Sequence, residues 1–366
     1  MLLTALYCIL VAVLLVQLIY YLFFFTLPFN SKKNSGLTNA NKAVSVIIYI
    51  KNNVNELKQN LPFILNQKYD DFEIVLINHS SSDESLDVIK NFQQNHNHIK
   101  VVNVENKEAF WGNKKYALTL GIKAASNDFL LFFDIHCKPL SELWIKEMAT
   151  KLVTETSVVI GYKSLTSNKF SIKNIFIRFY NTLSSLKMFM FAKLNNPYKG
   201  YHENFGYHKQ LFFNVKGFIN HINISEGETD LFLKDAKSIA KPQIQLSTAS
   251  YVKEQFVLSF SEFFSNFRKQ QTLIRFYSGK TRFLLRLFNI SKFLFWLISI
   301  YLCFNNLVIG LSAIAFYLLF QYVFISKAAI KLKETQLLYF LPILDISYVF
   351  FVLFTLILNL VSKPKL

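Results

Sequence analysis

Long stretches without charge lie at both ends of this chain, and they limit what it can fold into. No charged residue occurs from Leu2 to Phe25, and about 20 apolar residues in a helix can cross a bilayer. Three more apolar runs lie near the other end: Phe293–Phe304, Leu307–Ile325 and Leu337–Val361. With 52% hydrophobic residues the chain is too apolar for an ordinary soluble enzyme, yet 17% charged residues are too many for a chain wholly inside lipid. The sequence therefore predicts a protein that is part membrane-embedded and part water-exposed.

Basic residues next to these runs predict their orientation, because Lys and Arg are enriched in cytoplasmic loops. Such residues follow the first run and separate the last two: Lys32, Lys33, Lys327, Lys331 and Lys333. Four spans would satisfy both clusters and would put Lys363 and Lys365, at the end of the chain, outside. No basic start or small-residue cleavage site precedes Thr26, so a retained anchor is favoured over a cleaved signal peptide. We expect a multi-pass protein of the cell inner (plasma) membrane whose middle part is cytoplasmic.

The net charge of +17 fits attraction to anionic lipid head groups on the cytoplasmic side. Nucleic acid is the other common partner of a basic chain. The sequence has neither zinc-ligand spacing nor an aromatic RNA-binding signature, so no nucleic-acid partner is expected.

The middle of the chain alternates between strand-like and helix-like segments, which predicts an α/β domain with a mainly parallel sheet. The predicted strands are Ala43–Ile50, Phe72–Ile77, Ile99–Val104 and Phe129–Phe133, and the predicted helices are Asn55–Asn66, Glu84–Asn95 and Lys114–Ala125. Asp134 follows the fourth strand directly. The carboxyl ends of strands are where open α/β sheets bind ligands.

These patterns divide the chain into five segments. We expect a transmembrane anchor at residues 1–26, a linker at 27–42, the α/β domain at 43–255, interfacial amphipathic helices at 256–292, and two or three transmembrane helices at 293–361. Basic residues of the fourth segment and its border are available for lipid phosphates: Arg268, Lys269, Arg282, Arg286 and Lys292.

Six segments, in order, resemble the family 2 glycosyltransferases of inverting GT-A fold. They are VSVIIYIKNNVNEL, EIVLINHSSSDES, WGNKKYALTLGI, FFDIHCKP, NPYKGYHENFGYHKQLF and GFINHINISEGETDLFLKDA. The chain is especially similar to membrane-bound bacterial members with an N-terminal anchor and C-terminal spans. The resemblance implies a GT-A nucleotide-sugar-binding (Rossmann-like) domain that transfers a sugar, with inversion, from a UDP- or GDP-linked donor to a lipid-linked or polysaccharide acceptor.

The family's metal-binding Asp-x-Asp corresponds here to Asp134-Ile135-His136. A neutral imidazole can ligate Mn²⁺ but suits hard Mg²⁺ poorly. The resemblance implies a divalent cation at Asp134 and His136, with Mn²⁺ favoured over Mg²⁺. Three alternatives stay open: Asp134 works alone, the site has decayed, or His136 is simply a solvent-facing residue after a strand.

The resemblance also implies donor-binding positions, several of which depart from the family pattern. Asn53 and His79 stand in the base-binding region and bring hydrogen-bonding groups without a fixed negative charge. Lys114 matches a basic residue that can face phosphate, although a solvated lysine at a helix start is equally compatible. Asn204 matches the loop that approaches the donor sugar, and neighbouring Glu203 stands where relatives often carry Arg.

The remaining positions concern the general base and a diphosphate clamp. Glu228 is the preferred base, with Asp230 as competitor and a charged helix start as the structural alternative. The family's Gln-x-x-Arg-Trp motif corresponds to Gln271 and Arg275, which are four rather than three residues apart. On one helix, both spacings would keep the pair on a shared face. An interfacial helix that binds lipid phosphate is the alternative for this segment.

Several family acids are replaced in this chain, which leaves more than one functional hypothesis. The first is an active membrane glycosyltransferase with an adjusted metal preference. The second is a catalytically degenerate homologue that binds a partner enzyme or a glycan. A membrane scaffold without a nucleotide site is the third, and Asp134, Glu228 and Arg275 at motif positions argue against it.

Overall fold

The computed structural model describes residues 2–27, 42–105, 113–168 and 171–365. They form two compact units. The helical unit comprises 1–29, 167–190 and 259–365, and the sheet unit comprises 30–166 and 191–258. Most of the predicted linker at 27–42 and the Trp-Gly start of WGNKKYALTLGI lie outside the described residues.

Elements are numbered along the chain. The strands are β1 Val44–Ile50, β2 Phe72–His79, β3 Ile99–Val104, β4 Phe129–Asp134, β5 Cys137–Pro139, β6 Ser157–Ile160, β7 Lys163–Ser164, β8 Phe205–His208, β9 Lys241–Ile244 and β10 Val252–Glu254. The helices are α1 Leu2–Phe25, α2 Val54–Leu65, α3 Ser85–Asn95, α4 Lys114–Ala124, α5 Trp144–Ala149, α6 Ile172–Lys193, α7 Lys209–Asn214, α8 Glu228–Ala236, α9 Phe260–Leu273, α10 Gly279–Asn305, α11 Leu307–Lys331 and α12 Leu341–Val361.

The sheet unit is built on a mostly parallel sheet of seven described strands in the order β3-β2-β1-β4-β8-β6-β9. The first four strands pair in parallel, and β8 is antiparallel to both of its neighbours. Strand β1 lies in the interior of the sheet between β2 and β4, and six of the seven residues in VSVIIYI are buried. Strands covered on both faces read as continuous runs of β-branched residues, which is why this strand was predictable. The predicted α/β fold class is confirmed.

A three-stranded sheet in the order β5-β10-β7 lies after the end of β4. Strand β5 begins only three residues after Asp134, and the Gln255 backbone N–H donates to the His136 carbonyl oxygen at 3.1 Å. The turn Asp134-Ile135-His136 is therefore held between two sheets, which fixes its backbone.

The helical unit contains four described helices that are long and apolar enough to cross a membrane. They run over Leu3–Phe25, Gly279–Asn305, Leu307–Lys331 and Thr335–Val361. Helix α10 begins at Gly279, where the Ser278 side chain caps it by accepting the Thr281 N–H. The predicted border between interfacial segment and span, at 292/293, therefore falls inside one continuous helix. Helix α6, predicted as part of the α/β domain, lies with this unit through residue 190.

A buried carboxylate connects the long helices. Asp345 on α12 has no exposed surface and pairs with the equally buried Lys292 of α10. It also accepts hydrogen bonds from Trp296 Nε1 at 2.9 Å, from the Tyr317 hydroxyl at 3.0 Å and from Gln321 Nε2 at 2.5 Å. Because every donor comes from α10 or α11, this carboxylate fixes where α12 meets both helices.

Helix α1 joins the same cluster. The Tyr21 hydroxyl accepts hydrogen bonds from Lys292 Nζ and from Gln321 Nε2, both at 3.1 Å, and lies 3.2 Å from the Tyr317 hydroxyl oxygen. We call these residues the Asp345 cluster: Tyr21, Lys292, Trp296, Tyr317, Gln321 and Asp345. All four long helices contribute to it.

Three helices of this unit have termini at one end of the bundle. Lys327 Nζ of α11 donates to the Phe25 carbonyl oxygen, at the end of α1, at 3.4 Å. The Tyr20 hydroxyl of α1 donates to the Leu284 carbonyl oxygen, in the second turn of α10, at 2.7 Å. The end of α1, the end of α11 and the start of α10 therefore lie together. We call this the basic end, because the first turn of α10 carries Lys280 and Arg282 and the end of α11 carries Lys327 and Lys331.

Helix α12 also finishes at the basic end. The side-chain oxygen of Asn359, in its last turn, accepts from Arg268 Nε of α9 at 2.8 Å. Lys363, just beyond, lines the same cavity as Arg286 in the early part of α10. The structure differs here from the four-span prediction, which put Lys363 and Lys365 at the opposite end. Asp345, close to the start of α12, meets Lys292 and Trp296 at mid-bundle, and the helix runs from there to the basic end.

The direction of α12 predicts the labelling pattern of single cysteines. In a variant with Cys8, Cys137 and Cys303 changed to Ser, we expect Lys333→Cys and Ser362→Cys to react with a membrane-impermeant maleimide from the same side. Asn306→Cys, in the turn between α10 and α11, should react only from the other side. Labelling of Ser362→Cys from the same side as Asn306→Cys would contradict this placement of the end of α12.

The Asp345 cluster predicts a large stability effect. Asp345→Ala would leave the Lys292 ammonium buried without a counter-charge, at a cost of about 3–5 kcal/mol. We expect a clearly lower Tm in detergent. The double variant Asp345→Leu/Lys292→Met removes both charges and should recover part of that loss. An unchanged Tm for Asp345→Ala would show that the cluster does not hold the bundle.

Candidate active site

The candidate site lies where the parallel strands of the sheet unit end. Asp134 is the last residue of β4, His79 is the last residue of β2, and Asn53 follows the end of β1. Helix α8 begins with Glu228, and α4 begins with Lys114. Side chains from five segments that are distant in sequence thus converge at one edge of the sheet, as expected for an open α/β fold.

An ion pair between Lys114 and Glu228 is at the centre of the site. Lys114 Nζ lies 2.7 Å from Glu228 Oε1, and the two side chains are 30% and 12% exposed. The ammonium also lies 5.4 Å from the centre of the Tyr49 ring. Lys114 thus faces the acidic side chains of the site. This argues against the alternative that it is only a solvated lysine at a helix start.

The pair controls the charge of both residues. Burial alone would raise the pKa of the Glu228 carboxyl, but Lys114 outweighs it and lowers that pKa to about 2. Burial alone would lower the pKa of the Lys114 ammonium, but the carboxylates of Glu228 and Asp134 outweigh it and raise that pKa. Both groups are therefore charged at neutral pH, and Glu228 is an ionised carboxylate that is already engaged.

The backbone before Glu228 needs a glycine. Gly227 caps the start of α8 with φ of 75° and ψ of 34°, in the left-handed region where a side chain is strained. This conformation turns the chain sharply into the helix. Glu228 therefore occupies its first turn, beside Lys114.

Lys115 has a different role from its neighbour. It is fully buried, and its ammonium donates to the carbonyl oxygens of His221, Ile224 and Glu226 at 3.1, 2.5 and 3.0 Å. Burial lowers the pKa of Lys115 to about 8. Lys115 thus fixes the loop that leads to Glu228. Of the two neighbouring lysines, Lys114 faces the site and Lys115 supports the loop beside it.

Asp230, the competing base, lies away from this ion pair. Its carboxylate is 6% exposed and accepts the Gly200 backbone N–H at 3.4 Å. Of the two candidates, Glu228 is the one whose carboxylate contacts Lys114. The geometry therefore favours Glu228.

The Asp134-Ile135-His136 turn presents one carboxylate. Asp134 Oδ1 accepts the His136 backbone N–H at 2.9 Å, which closes the turn. The His136 ring is engaged elsewhere, with Nε2 3.3 Å from Asn53 Nδ2 and Nδ1 3.7 Å from Glu56 Oε1. Within the described ranges, no three His, Cys, Asp or Glu side chains are grouped so as to hold a metal ion.

The residues present suit a metal ion that takes most of its ligands from a bound phosphate better than one coordinated mainly by protein side chains. Mg²⁺ and similar ions often take only one or two carboxylates from the protein and the rest of their ligands from phosphate and water. Asp134 can supply such a carboxylate. The imidazole of His136 could join only after leaving Asn53.

The predicted base-binding residues are partly covered. His79 is 1% exposed, and its Nδ1 lies 2.8 Å from the Tyr49 hydroxyl. The side-chain oxygen of Asn53 accepts the Lys51 backbone N–H at 3.0 Å. Both residues lie at the expected edge, but each already has protein partners.

Asn204 is fully buried, and this corrects its prediction as a sugar contact. Its side-chain oxygen accepts from Trp144 Nε1 at 2.9 Å, and its amide donates to the carbonyl oxygens of Tyr162 and Ser250 at 2.9 and 2.8 Å. With no exposed surface and its polar atoms occupied, the side chain holds three segments together.

Glu203, the acid in place of the family's basic residue, has a local counter-charge. Lys163 Nζ lies 2.7 Å from Glu203 Oε1 and 3.2 Å from Glu254 Oε2. Burial would raise the pKa of the Glu203 carboxyl, but Lys163 outweighs it and lowers that pKa to about 2. Nothing in the sequence around Lys163 singled it out, because its partners are far along the chain.

His202 is a further residue that the sequence did not single out. It is half-buried beside Glu228, Thr229 and Phe132, around a cavity of about 10 Å³, roughly the space of one water molecule. Its Nε2 has no hydrogen-bond partner among the residues that the structure describes. Burial lowers the pKa of this imidazole, so it is neutral beside the ion pair.

Gln271 and Arg275 belong to the helical unit. Gln271 is on α9, which ends at Leu273, and Arg275 is on the short 3-10 turn Ile274–Phe276 that follows. The two residues therefore lie on consecutive helical segments rather than on one helix. They nevertheless line one cavity of that unit.

Comparisons with known proteins point to glycosyltransferases. Residues 45–219 match the family described as Glycosyl transferase family 2. A 100-residue segment is 34% identical to the dolichyl N-acetyl-alpha-D-glucosaminyl phosphate 3-beta-D-2,3-diacetamido-2,3-dideoxy-beta-D-glucuronosyltransferase of Methanococcus voltae, covering 26% of this chain and 30% of that protein. A 120-residue segment is 31% identical to the poly-beta-1,6-N-acetyl-D-glucosamine synthase of Staphylococcus epidermidis, covering 32% of this chain and 27% of that protein. The chain thus matches about a third or less of these relatives' lengths.

Among solved structures, the mannosyltransferase PcManGT of Pyrobaculum calidifontis, described in complex with GDP-Man and Mn²⁺, is similar in fold. It aligns with a TM-score of 0.56 and 14% identity over 90% of this chain and 97% of its own. At this identity the likeness concerns the fold alone. The sequence resemblance is confirmed: this chain carries a glycosyl transferase family 2 domain of GT-A fold.

Proposed function

We propose that this protein is an inverting glycosyltransferase that uses a UDP- or GDP-linked donor and a lipid-linked or polysaccharide acceptor at the cytoplasmic face of the inner membrane. The observation that carries the proposal is the arrangement of Lys114, Glu228 and Asp134 at the carboxyl edge of the family 2 domain. In this arrangement the Lys114 ammonium can contact a phosphate, and the adjacent Glu228 carboxylate can remove a proton.

In the proposed reaction, Glu228 accepts the proton of an acceptor hydroxyl. The hydroxyl oxygen forms a bond to the anomeric carbon from the face opposite the leaving group. The bond from that carbon to the diphosphate oxygen breaks, and the electron pair leaves with the nucleoside diphosphate. General-base assistance of this kind typically contributes ~10²–10⁴-fold to the rate.

The ion pair gives this mechanism an order of events. Without donor, Lys114 neutralises Glu228 and keeps the pKa of that carboxyl at about 2, so Glu228 is a weak base. A donor diphosphate competes with Glu228 for the Lys114 ammonium. Once Lys114 contacts phosphate, Glu228 loses its strongest counter-charge, and its pKa rises toward that of a useful base.

A divalent cation is the remaining part of the proposal. Asp134 would hold it together with the donor phosphates, and a bound cation would neutralise negative charge on the leaving diphosphate. Preference for Mn²⁺ over Mg²⁺ would follow if His136 also serves as a ligand.

The relatives and the helices support the acceptor class and the location. One relative is named for a dolichyl-linked phosphate acceptor and another for a polysaccharide. The four long apolar helices fit a membrane enzyme. Clustering of Lys and Arg at one end of the helical unit favours a cytoplasmic basic end.

A catalytically degenerate homologue that binds a partner or glycan is the second candidate. The engaged His136 ring and the covered His79 favour it, because both would have to rearrange for a donor to bind. Nucleotide binding separates the two candidates.

We expect the full-length protein in detergent to bind UDP or GDP more tightly with a divalent cation than with chelator, because Asp134 then contributes through the ion. Calorimetry with Mn²⁺, Mg²⁺ and chelator would measure this. Asp134→Ala should abolish the metal-dependent part, whereas the exposed Asp71→Ala serves as a control. Equal binding by Asp134→Ala and the unmodified protein would overturn the assignment of this site.

We expect Glu228→Gln and Lys114→Met to act in opposite directions on nucleotide binding. Glu228→Gln frees Lys114 and should keep or tighten nucleotide affinity while turnover falls by at least ~10²-fold. Lys114→Met removes the phosphate-facing cation and should weaken affinity. Nucleotide release in a donor screen measures turnover, and Asp230→Asn tests the competing base. Weaker nucleotide binding by Glu228→Gln would contradict the competition between donor and Glu228.

A further inference from the structure

A cavity of about 440 Å³ lies within the helical unit, between α9 with its following turn, α10 and the end of α12. We call it the basic groove. Three cationic side chains line it: Arg275, Arg286 and Lys363. No acidic residue is among its lining residues.

Among the described residues, no carboxylate pairs with any of the three cations. Arg275, Arg286 and Lys363 are exposed, so their charged groups can reach a ligand in the groove. In the described part of the chain, none of the three groove cations forms an ion pair within 4.0 Å of a carboxylate. The Arg275 guanidinium instead lies 4.6 Å from the centre of the Phe276 ring. Three uncompensated positive charges around one cavity favour an anionic ligand.

The rest of the groove is apolar. Leu285, Ile290, Leu356 and Leu360 line it, and the last three are 54%, 45% and 81% exposed. A small hydrated anion would leave these side chains uncovered. A ligand that satisfies the whole groove therefore combines an anionic head with a hydrocarbon chain.

The location agrees with such a ligand. The groove is formed where α10 begins and α12 ends, at the basic end defined above. If the long helices cross a bilayer, their ends lie at the level of the lipid head groups. Arg275 follows directly after α9, whose amphipathic sequence suits the same level.

We propose that the basic groove binds a lipid phosphomonoester: the phosphate contacts Arg275 and Arg286, with Lys363 nearby, and the hydrocarbon chain lies along Leu285, Ile290 and Leu356. Guanidinium groups suit this role because their planar fork can donate two hydrogen bonds to one phosphate. A phosphomonoester carries up to two negative charges, which matches three cations better than the single charge of a phosphodiester. This assigns Arg275 to a lipid phosphate rather than to the donor diphosphate.

The binding does not depend on sugar transfer. The further step, that such a lipid is the acceptor, rests on the proposed function. The two can fail separately, because lipid binding is measured without a donor and nucleotide binding is measured without a lipid.

The test uses the full-length protein in a non-ionic detergent, with dodecyl phosphate as probe and calorimetry or native mass spectrometry as readout. Arg275→Gln/Arg286→Gln should weaken dodecyl phosphate binding by at least ~10-fold, given about 1 kcal/mol per well-placed basic residue. Lys280→Gln/Arg282→Gln is the matched control, since it removes the same charge from nearby positions outside the groove lining. It should change affinity by less than ~2-fold, because surface charge effects are partly screened.

Three further arms identify the source of the phosphate. Inorganic phosphate should bind much more weakly than dodecyl phosphate, because it cannot cover the apolar lining. A polyprenyl monophosphate and phosphatidic acid then distinguish an isoprenoid from a glycerolipid, and tighter binding of either one supports the groove. Equal weakening by both double variants would overturn the proposal, as would inorganic phosphate binding as tightly as dodecyl phosphate.

Leu356→Asp gives an independent check on the apolar part. An acid in the hydrocarbon path should weaken dodecyl phosphate binding, while Leu319→Asp, on an exposed face of α11, should not. Both variants add the same charge. If they affect binding equally, the chain does not lie along Leu356.

Discussion

A carboxylate without access to water organises the helical unit. Removing a charge from water is costly, so Asp345 is tolerated only because an ammonium, an indole, a phenol and an amide all reach it. Each of those donors is useful only if its helix has the correct rotation and depth. Apolar packing alone would allow the long helices to slide or rotate. The cluster removes that freedom and also determines that α12 is anchored at mid-bundle.

The sheet unit uses charge in a related way, but leaves its ion pair accessible. Lys114 and Glu228 neutralise each other at the edge of the sheet, and both keep some exposed surface. In the Asp345 cluster, exchange of partners would require breaking a closed network. In the candidate active site, an incoming phosphate can take the place of the carboxylate. The difference in exposure is what separates a structural ion pair from one suited to ligand binding.

Sequence patterns predicted the features that depend on local periodicity. Strand β1 and the position of Asp134 followed from a run of β-branched residues and from the rule that parallel strands end at a common edge. The long helices followed from uncharged runs. Roles that depend on distant partners were not predictable: Asn204 is structural because Trp144, Tyr162 and Ser250 surround it, and none of these is near it in sequence. The placement of the last turn of α12 at the basic end depends on Asp345 meeting Lys292 at mid-bundle, which hydropathy cannot reveal.

The clamp formed by Lys115 has a consequence for how this sequence can diverge. Its ammonium binds backbone carbonyl oxygens of residues 221, 224 and 226 and none of their side chains. Side chains in that loop can therefore change without loosening the hold on it. Position 115 has no such latitude, because only an ammonium offers three donors from a single atom. Substitutions should therefore accumulate in the loop at residues 221–226 and be rare at Lys115, although the two segments are in contact.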